Sequence, residues 1–153
     1  MSGHTATISW SASPDEDFVK GQYSRAHQWQ FDGGAVVAAS ASPTIVPAPW
    51  SDAAAVDPEE AFIASLASCH MLFFLDFAKR AGVVVSEYED SAEGVMAKGE
   101  DGKMRITRVT LRPRIAFGGD GPDAAALDAL HHQAHDACFI ANSTTAEITI
   151  EPR

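Results

Sequence analysis

Two cysteines, Cys69 and Cys138, are the residues of this chain whose chemistry could be covalent. A thiolate can attack a peroxide oxygen and become a sulfenic acid, which a second thiol then converts into a disulfide. In a reducing compartment, a pair of cysteines can also serve as buried packing or as metal ligands. The number of cysteines alone leaves these three interpretations open.

Reactivity at the first cysteine would require a nearby cation, because a free thiol has a pKa of about 8.5. Cys69 lies about twelve residues into a predicted helix, too far from the helix N-terminus for the helix dipole to ionise it. The alternative interpretation of Cys69 is a small apolar side chain of a core helix, and composition and spacing favour neither interpretation.

A helix that begins at Pro58 and ends before Gly82 is predicted around this cysteine. Asp57 can cap the free amides, and Glu59 and Glu60 favour the positive end of the helix dipole. Gly82 is a typical terminator. Apolar residues lie nearly all round the helix, which predicts burial on most of its sides.

The other predicted elements follow from alternation, turn residues and helical periodicity. They are strands over Thr5–Ser11, Tyr23–Phe31 and Ala35–Ser42, two long strands over Val83–Lys98 and Lys103–Phe117, a helix over Asp123–Ala137, and a final strand over Ala146–Ile150. The order βββ-α-ββ-α-β predicts an α+β fold, in a single domain of residues 1–153.

Both cysteines lie in segments that resemble a known family. Asp57–Cys69, DPEEAFIASLASC, resembles the first cysteine motif of OsmC/Ohr proteins, the osmotically inducible protein C-like and organic hydroperoxide resistance proteins. That motif runs from a Pro-Glu pair to a cysteine ten positions after the glutamate. Ala134–Asn142, AHDACFIAN, resembles the second motif. The order of predicted elements also matches, so the resemblance covers nearly the whole chain.

The resemblance implies an OsmC-like fold, with antiparallel sheets packed on a long central helix in an intertwined homodimer. It also implies a thiol-dependent peroxidase of organic hydroperoxides that uses no cofactor and no metal. Cys69 would be the peroxidatic cysteine and Cys138 the resolving one. An external dithiol, lipoyl-type or similar, would then reduce the disulfide.

The resemblance assigns two further residues to the site. Glu59 matches the glutamate that positions an arginine, and the segment around Arg25 resembles the Ohr segment that holds the active-site arginine. A guanidinium suits this role because it stays charged and can bridge a carboxylate and a thiolate. Glu59 and Cys69 would be about 15 Å apart along a straight helix. One arginine could therefore reach both only if the helix is interrupted near Ala64-Ser65 or if a second subunit contributes.

Two residues depart from the family pattern. Phe139 follows the second cysteine, where proline is common, and His70 follows the first, where an apolar residue is frequent. His70 is a possible accessory residue that tunes Cys69, or it points elsewhere, because adjacent helix positions diverge by about 100°. These departures indicate a divergent branch of the family.

The composition excludes some classes of partner. With 21 acidic and 11 basic residues the net charge is −10, which disfavours nucleic acids and anionic membrane surfaces. The apolar stretch Ala61–Ala78 contains His70 and Asp76, which predicts that it does not span a membrane. The N-terminus has no signal-peptide pattern. A cytoplasmic protein is expected.

Other polar clusters have simpler interpretations. His131, His132 and His135 could form a metal site with Cys138, but a solvated helix face is the favoured interpretation. A second overall hypothesis keeps the fold without catalysis. In that case an apolar groove of the dimer binds a lipid-like or aromatic ligand, and Cys69 only lines it.

Overall fold

A computed structural model describes residues 3–153 of the chain. Its elements are β1 (Ala6–Ser9), β2 (His27–Phe31), β3 (Val36–Ala39), α1 (Pro58–Arg80), β4 (Val85–Asp90), β5 (Glu93–Lys98), β6 (Met104–Leu111), β7 (Pro113–Phe117), α2 (Ala124–Ala137), a 3-10 turn (Ala141–Ser143) and β8 (Glu147–Ile150). The chain forms two compact units, the first up to Ala61 and the second Phe62–Arg153.

The first unit contains a three-stranded antiparallel sheet in the order β1-β2-β3. Trp29 at the centre pairs with Ile8 on one side and Val37 on the other. Gly34 has a φ of 87°, a value that glycine adopts without strain, and it closes the turn between β2 and β3. All three strands lie inside the ranges predicted from the sequence.

Helix α1 begins and ends where its signals predict. The Asp57 carboxylate accepts a hydrogen bond from the Glu60 amide at 2.7 Å, and the Glu60 carboxylate accepts one from the Asp57 amide at 3.2 Å. This reciprocal arrangement is a capping box. At the other end Gly82 adopts a φ of 74°, as in helices that end on a left-handed residue.

The burial of α1 differs from the prediction. Its buried residues form one stripe, Leu66, His70, Phe74 and Ala78, at spacings of four. Leu72 on another face is 60% exposed. Periodicity reports where apolar residues lie, but not whether the chain itself covers every face. The expectation of burial on most sides was therefore wrong for this chain.

The length and composition of α1 also satisfy those of a membrane span. The core helix of a water-soluble protein meets the same criteria, and this helix has a buried stripe that includes a histidine. It is continuous from Pro58 to Arg80, so the interruption considered near Ala64-Ser65 does not occur.

The two long strands predicted in the second unit each divide into two. Val83–Lys98 becomes β4 and β5, and Lys103–Phe117 becomes β6 and β7. β4 pairs with β7 in one sheet, and β5, β6 and β8 form another. The Asp90 carboxylate accepts the Arg112 amide hydrogen at 2.7 Å, where both strands change sheet. The pairs are antiparallel except for β6 with β8, which is parallel.

Two apolar clusters form the core of the second unit. One has Leu66, Val109, Leu111 and Cys138 at its centre. The other is built on Phe74, Ala78, Leu130 and Ala134. Both contain residues of α1, so this helix organises the interior of the second unit.

Candidate active site

The fold brings the two cysteines together in the second unit. Cys69 projects from α1 and is half-buried, and Cys138 follows the last residue of α2 and is completely buried. Both thiols are free, and Cys69 packs against the apolar cluster that has Cys138 at its centre. Residues from opposite halves of the sequence thus form one sulfur pair within the apolar cluster around Leu66.

The two thiols have different environments. Burial, followed by the neighbouring Cys69 side chain, raises the pKa of Cys138 to about 11. The Ala141 amide, which donates to the Cys138 sulfur at 3.4 Å, opposes this shift. Cys138 is therefore a neutral thiol at neutral pH, and Cys69 is the more accessible sulfur.

Local structure explains the position of Cys138. The Asp123 carboxylate caps the start of α2 by accepting the Ala126 amide hydrogen at 2.8 Å. At the other end Cys138 has extended backbone, with a ψ of 113°. The next residue, Phe139, is 72% exposed, and its ring packs edge-on against Phe73 with centroids 5.0 Å apart.

Glu59 and Arg25 lie in the first unit. One carboxylate oxygen of Glu59, Oε2, is buried without a hydrogen-bond partner among residues 3–153. The Arg25 guanidinium donates to the carbonyl oxygens of Gly21 at 2.9 Å and Tyr23 at 2.5 Å, and it lies 3.7 Å from the centre of the Tyr23 ring. In the described part of the chain, Arg25 and Glu59 form no ion pair with each other.

A cavity of about 470 Å³ in the first unit lies beside this arginine. Trp10, Phe18 and Tyr23 line it and pack on one another, with Phe18 and Tyr23 ring centroids 4.5 Å apart. Arg25 and Pro58 line it as well. This aromatic group was not predictable from the sequence, because its members lie in three different segments and Phe18 lies in a turn with no periodic pattern.

His70 does not accompany Cys69 but points to α2. Its Nε2 is 3.1 Å from Nδ1 of His131, and both rings are buried. His132 is exposed, as the interpretation of a solvated face requires, but that interpretation is wrong for His131. In residues 3–153, no group of three or more histidine, cysteine, aspartate or glutamate side chains is arranged to hold a metal ion.

Comparison with known proteins identifies relatives of this chain. Residues 51–153 match a family model described as OsmC-like protein. A solved OsmC-like protein of unknown function from Vibrio cholerae is 48% identical, with all of both chains covered and a TM-score of 0.98. A search of curated proteins found no match.

More distant solved structures share the fold alone. An organic hydroperoxide resistance protein from Legionella pneumophila is 15% identical over 99% of this chain and 97% of that chain, with a TM-score of 0.72. The organic hydroperoxide resistance protein OhrB of Bacillus subtilis is 21% identical over 99% and 98%, with a TM-score of 0.67. The resemblance and the α+β fold expected from the two cysteine motifs are thereby confirmed. The chain belongs to the OsmC-like protein family.

Proposed function

We propose that this protein is a thiol-dependent peroxidase that reduces organic hydroperoxides. The observation that supports this function is the sulfur pair of Cys69 and Cys138, one accessible and one buried. Membership of a family that includes proteins named for hydroperoxide resistance adds to it. An apolar surrounding suits the organic part of such a substrate better than hydrogen peroxide.

The proposed reaction has two steps. The Cys69 thiolate attacks the distal peroxide oxygen, so that an S–O bond forms, the O–O bond breaks, and the leaving alkoxide takes a proton to become an alcohol. Cys138, after losing its proton, attacks the sulfenic acid sulfur. The S–S bond forms and hydroxide leaves as water. An external dithiol then restores both thiols by exchange, and a lipoyl-type dithiol is our candidate.

Arg25 and Glu59 are proposed to supply the charge that the Cys69 thiolate requires. Two observations support them. The Glu59 carboxylate has a buried oxygen without a partner, and Arg25 lines the same cavity as Pro58, the neighbour of Glu59. A buried carboxylate oxygen without a partner is costly, so a guanidinium is expected there in the working enzyme.

We further propose that the protein works as a homodimer in the cytoplasm, where thiols are kept reduced. The long continuous α1 makes a contribution from a second copy attractive, because Glu59 and Cys69 are ten positions apart on it. Leu72 on this helix is apolar and exposed, which is consistent with its burial against a second copy of the chain.

The test is thiol titration before and after one equivalent of cumene hydroperoxide, with mass mapping of the product. We expect the loss of two thiols and one intramolecular disulfide between Cys69 and Cys138. Cys138→Ser should still consume one equivalent and accumulate a sulfenic acid at Cys69. If Cys69→Ser consumes hydroperoxide at the wild-type rate, the proposed mechanism is wrong.

A second candidate function is the binding of an aromatic or lipid-like molecule without catalysis. The aromatic cavity of about 470 Å³ favours it, since ligand pockets of this size are mostly apolar with a few polar groups. Native mass spectrometry that detects a retained ligand, together with a Cys69 thiol that does not react with cumene hydroperoxide at neutral pH, would favour this function over the peroxidase.

A further inference from the structure

A buried pair of histidines joins α1 to α2 beside the sulfur pair. His70 is 0% exposed and His131 is 3% exposed, and their nearest nitrogens are 3.1 Å apart. The ring planes are within 9° of each other and the centroids are 5.4 Å apart. This separation nearly equals the N···N distance plus the two ring radii, so the rings meet edge to edge and the hydrogen bond lies in their common plane.

In such a bond one nitrogen donates its hydrogen and the other accepts it, so a doubly protonated pair, which would present two N–H groups to each other, cannot form it. The two outer nitrogens, His70 Nδ1 and His131 Nε2, are buried and have no partner within residues 3–153. Within the described residues, each ring therefore makes one hydrogen bond, and that bond is to the other ring.

The surroundings keep the pair neutral at neutral pH. Burial, followed by the neighbouring His131 and His135, lowers the pKa of His70 to about 4. Burial also lowers the pKa of His131, against a smaller opposite effect of Asp128. The Phe74 ring of α1 packs against His131 at 4.6 Å.

One more titratable group faces this region from the sheet. Tyr88 of β4 packs on Phe74 with centroids 5.6 Å apart, and its hydroxyl is buried. Burial, followed by the nearby Asp90, raises the pKa of Tyr88, so this phenol stays neutral. The groups that can change charge around the imidazoles are thus His135 and Asp128, both on α2.

The positions of the histidines tie them to the cysteines. His70 directly follows Cys69 on α1, and His131 lies on α2 seven residues, or about two helical turns, before Cys138, the residue that caps the end of this helix. The two helices are therefore joined at two neighbouring places, one with sulfur atoms and one with imidazoles.

We propose that His70 and His131 are positioning residues, whose mutual hydrogen bond holds α1 and α2 in the register that brings Cys138 to Cys69. This inference rests on the proposed function for its biological purpose. Protonation of either ring places a charge and an N–H without an acceptor in a buried site, and protonation of both rings breaks the bond, so acid loosens the register. The disulfide form keeps the helices together and resists that protonation, whereas the dithiol form can relax and accept the proton. Acid therefore favours the dithiol, and oxidation in turn lowers the pKa of the histidines.

The test measures the equilibrium between the protein dithiol and glutathione disulfide at pH 6.5 and pH 4, approached anaerobically from both directions. The control variant below contains the same cysteines, so a difference in pH dependence between the two proteins reports the histidines. With a pKa of about 4 for His70 in the dithiol form, a pKa lower by one unit in the disulfide form would lower the disulfide equilibrium constant about twofold at pH 4. We expect a fall on that order for the wild type.

The matched control is the double variant His70→Gln and His131→Asn. The glutamine amide takes the place of Nε2 and the asparagine amide that of Nδ1, so a hydrogen bond is retained that does not titrate. We expect this variant to match the wild type at pH 6.5 and to show no pH dependence. His131→Leu, with its fold verified by near-ultraviolet circular dichroism, should have a lower equilibrium constant already at pH 6.5.

Three outcomes would overturn the proposal: equal pH dependence in wild type and control, no pH dependence in either, or no disulfide at all. Nitrogen NMR of the imidazoles should also give lower histidine pKa values in the oxidised protein, and equal values in both forms would overturn it. Failure of the peroxidase proposal looks different. The protein would then form the disulfide with glutathione disulfide and still leave cumene hydroperoxide unconsumed.

Discussion

The sulfur pair and the histidine pair join the same two helices but tolerate disruption to different degrees. Cys69 and Cys138 lie in an apolar cluster, and a thiol is a weak donor and acceptor whose loss of a partner costs little. His70 and His131 form a full hydrogen bond in a buried place, where an unpaired nitrogen is costly. The sulfur contact can therefore open and close during a reaction, while the imidazole contact holds the helices.

Acidification should have the largest effect on stability, and it should act through the imidazoles. The folded-state pKa of His70, about 4, lies below its ordinary value of 6.5. The stability that this difference in the pKa of His70 contributes is therefore complete above pH 6.5, and it is lost as the pH falls from 6.5 through 4. The difference corresponds to a loss on the order of 3 kcal/mol in the free energy of unfolding.

Urea unfolding at pH 7 and pH 4 measures this loss. Carboxylates also titrate in this range, so the comparison is with the variant His70→Gln, His131→Asn, which contains the same carboxylates. The wild type should lose more stability than this variant by about the stated amount. Equal losses would mean that the buried histidines do not set the acid sensitivity.

Breaking the imidazole pair from one side should have an intermediate effect. His131→Leu leaves His70 Nε2 buried without a partner, which should lower the free energy of unfolding by about 1–3 kcal/mol at pH 7. The double variant His70→Leu, His131→Leu removes both polar groups and should be less destabilised than the sum of the single variants. If the changes in the free energy of unfolding of the two single variants add in a double-mutant cycle, the two histidines are not coupled by their hydrogen bond.

Removing the buried sulfur should have the smallest effect. Cys138→Ala deletes a small side chain from the apolar cluster and should cost about 1 kcal/mol in the presence of a reductant. Combined with Cys69→Ala, the effects should add to within about 0.5 kcal/mol, because a thiol is a weak hydrogen-bond donor and acceptor. If urea unfolding shows a strong coupling between the two cysteines, the sulfur pair holds the helices as the histidine pair does.

The sequence predicted those parts of the fold that local signals determine. The cap at Asp57 and the terminator Gly82 predicted the limits of α1, and the structure has both. The division of the long strands was not predictable, because the bend at Arg112 depends on a hydrogen bond to Asp90, 22 residues earlier. Helical periodicity likewise could not show which faces of α1 the chain itself covers.

The candidate site was predictable to a similar degree. Two motifs indicated that Cys69 and Cys138 belong together, and the structure brings them into contact. The pairing of His70 with His131 spans 61 residues and has no local pattern, since each histidine is equally consistent with an exposed position. Arg25 and Glu59 remain predictions, assigned by resemblance and supported by the cavity and the unpaired carboxylate oxygen.

The place of Cys138 at the end of α2 affects how oxidation would change the protein. Its amide already bonds to the His135 carbonyl at 3.2 Å, and its own carbonyl accepts the Asn142 amide hydrogen at 3.0 Å, so it lies between a finished helix and a short turn. A rotation of the Cys138 side chain can bring its sulfur closer to that of Cys69 without unwinding a helical turn. Closing the disulfide should therefore leave the far-ultraviolet circular dichroism of the protein unchanged.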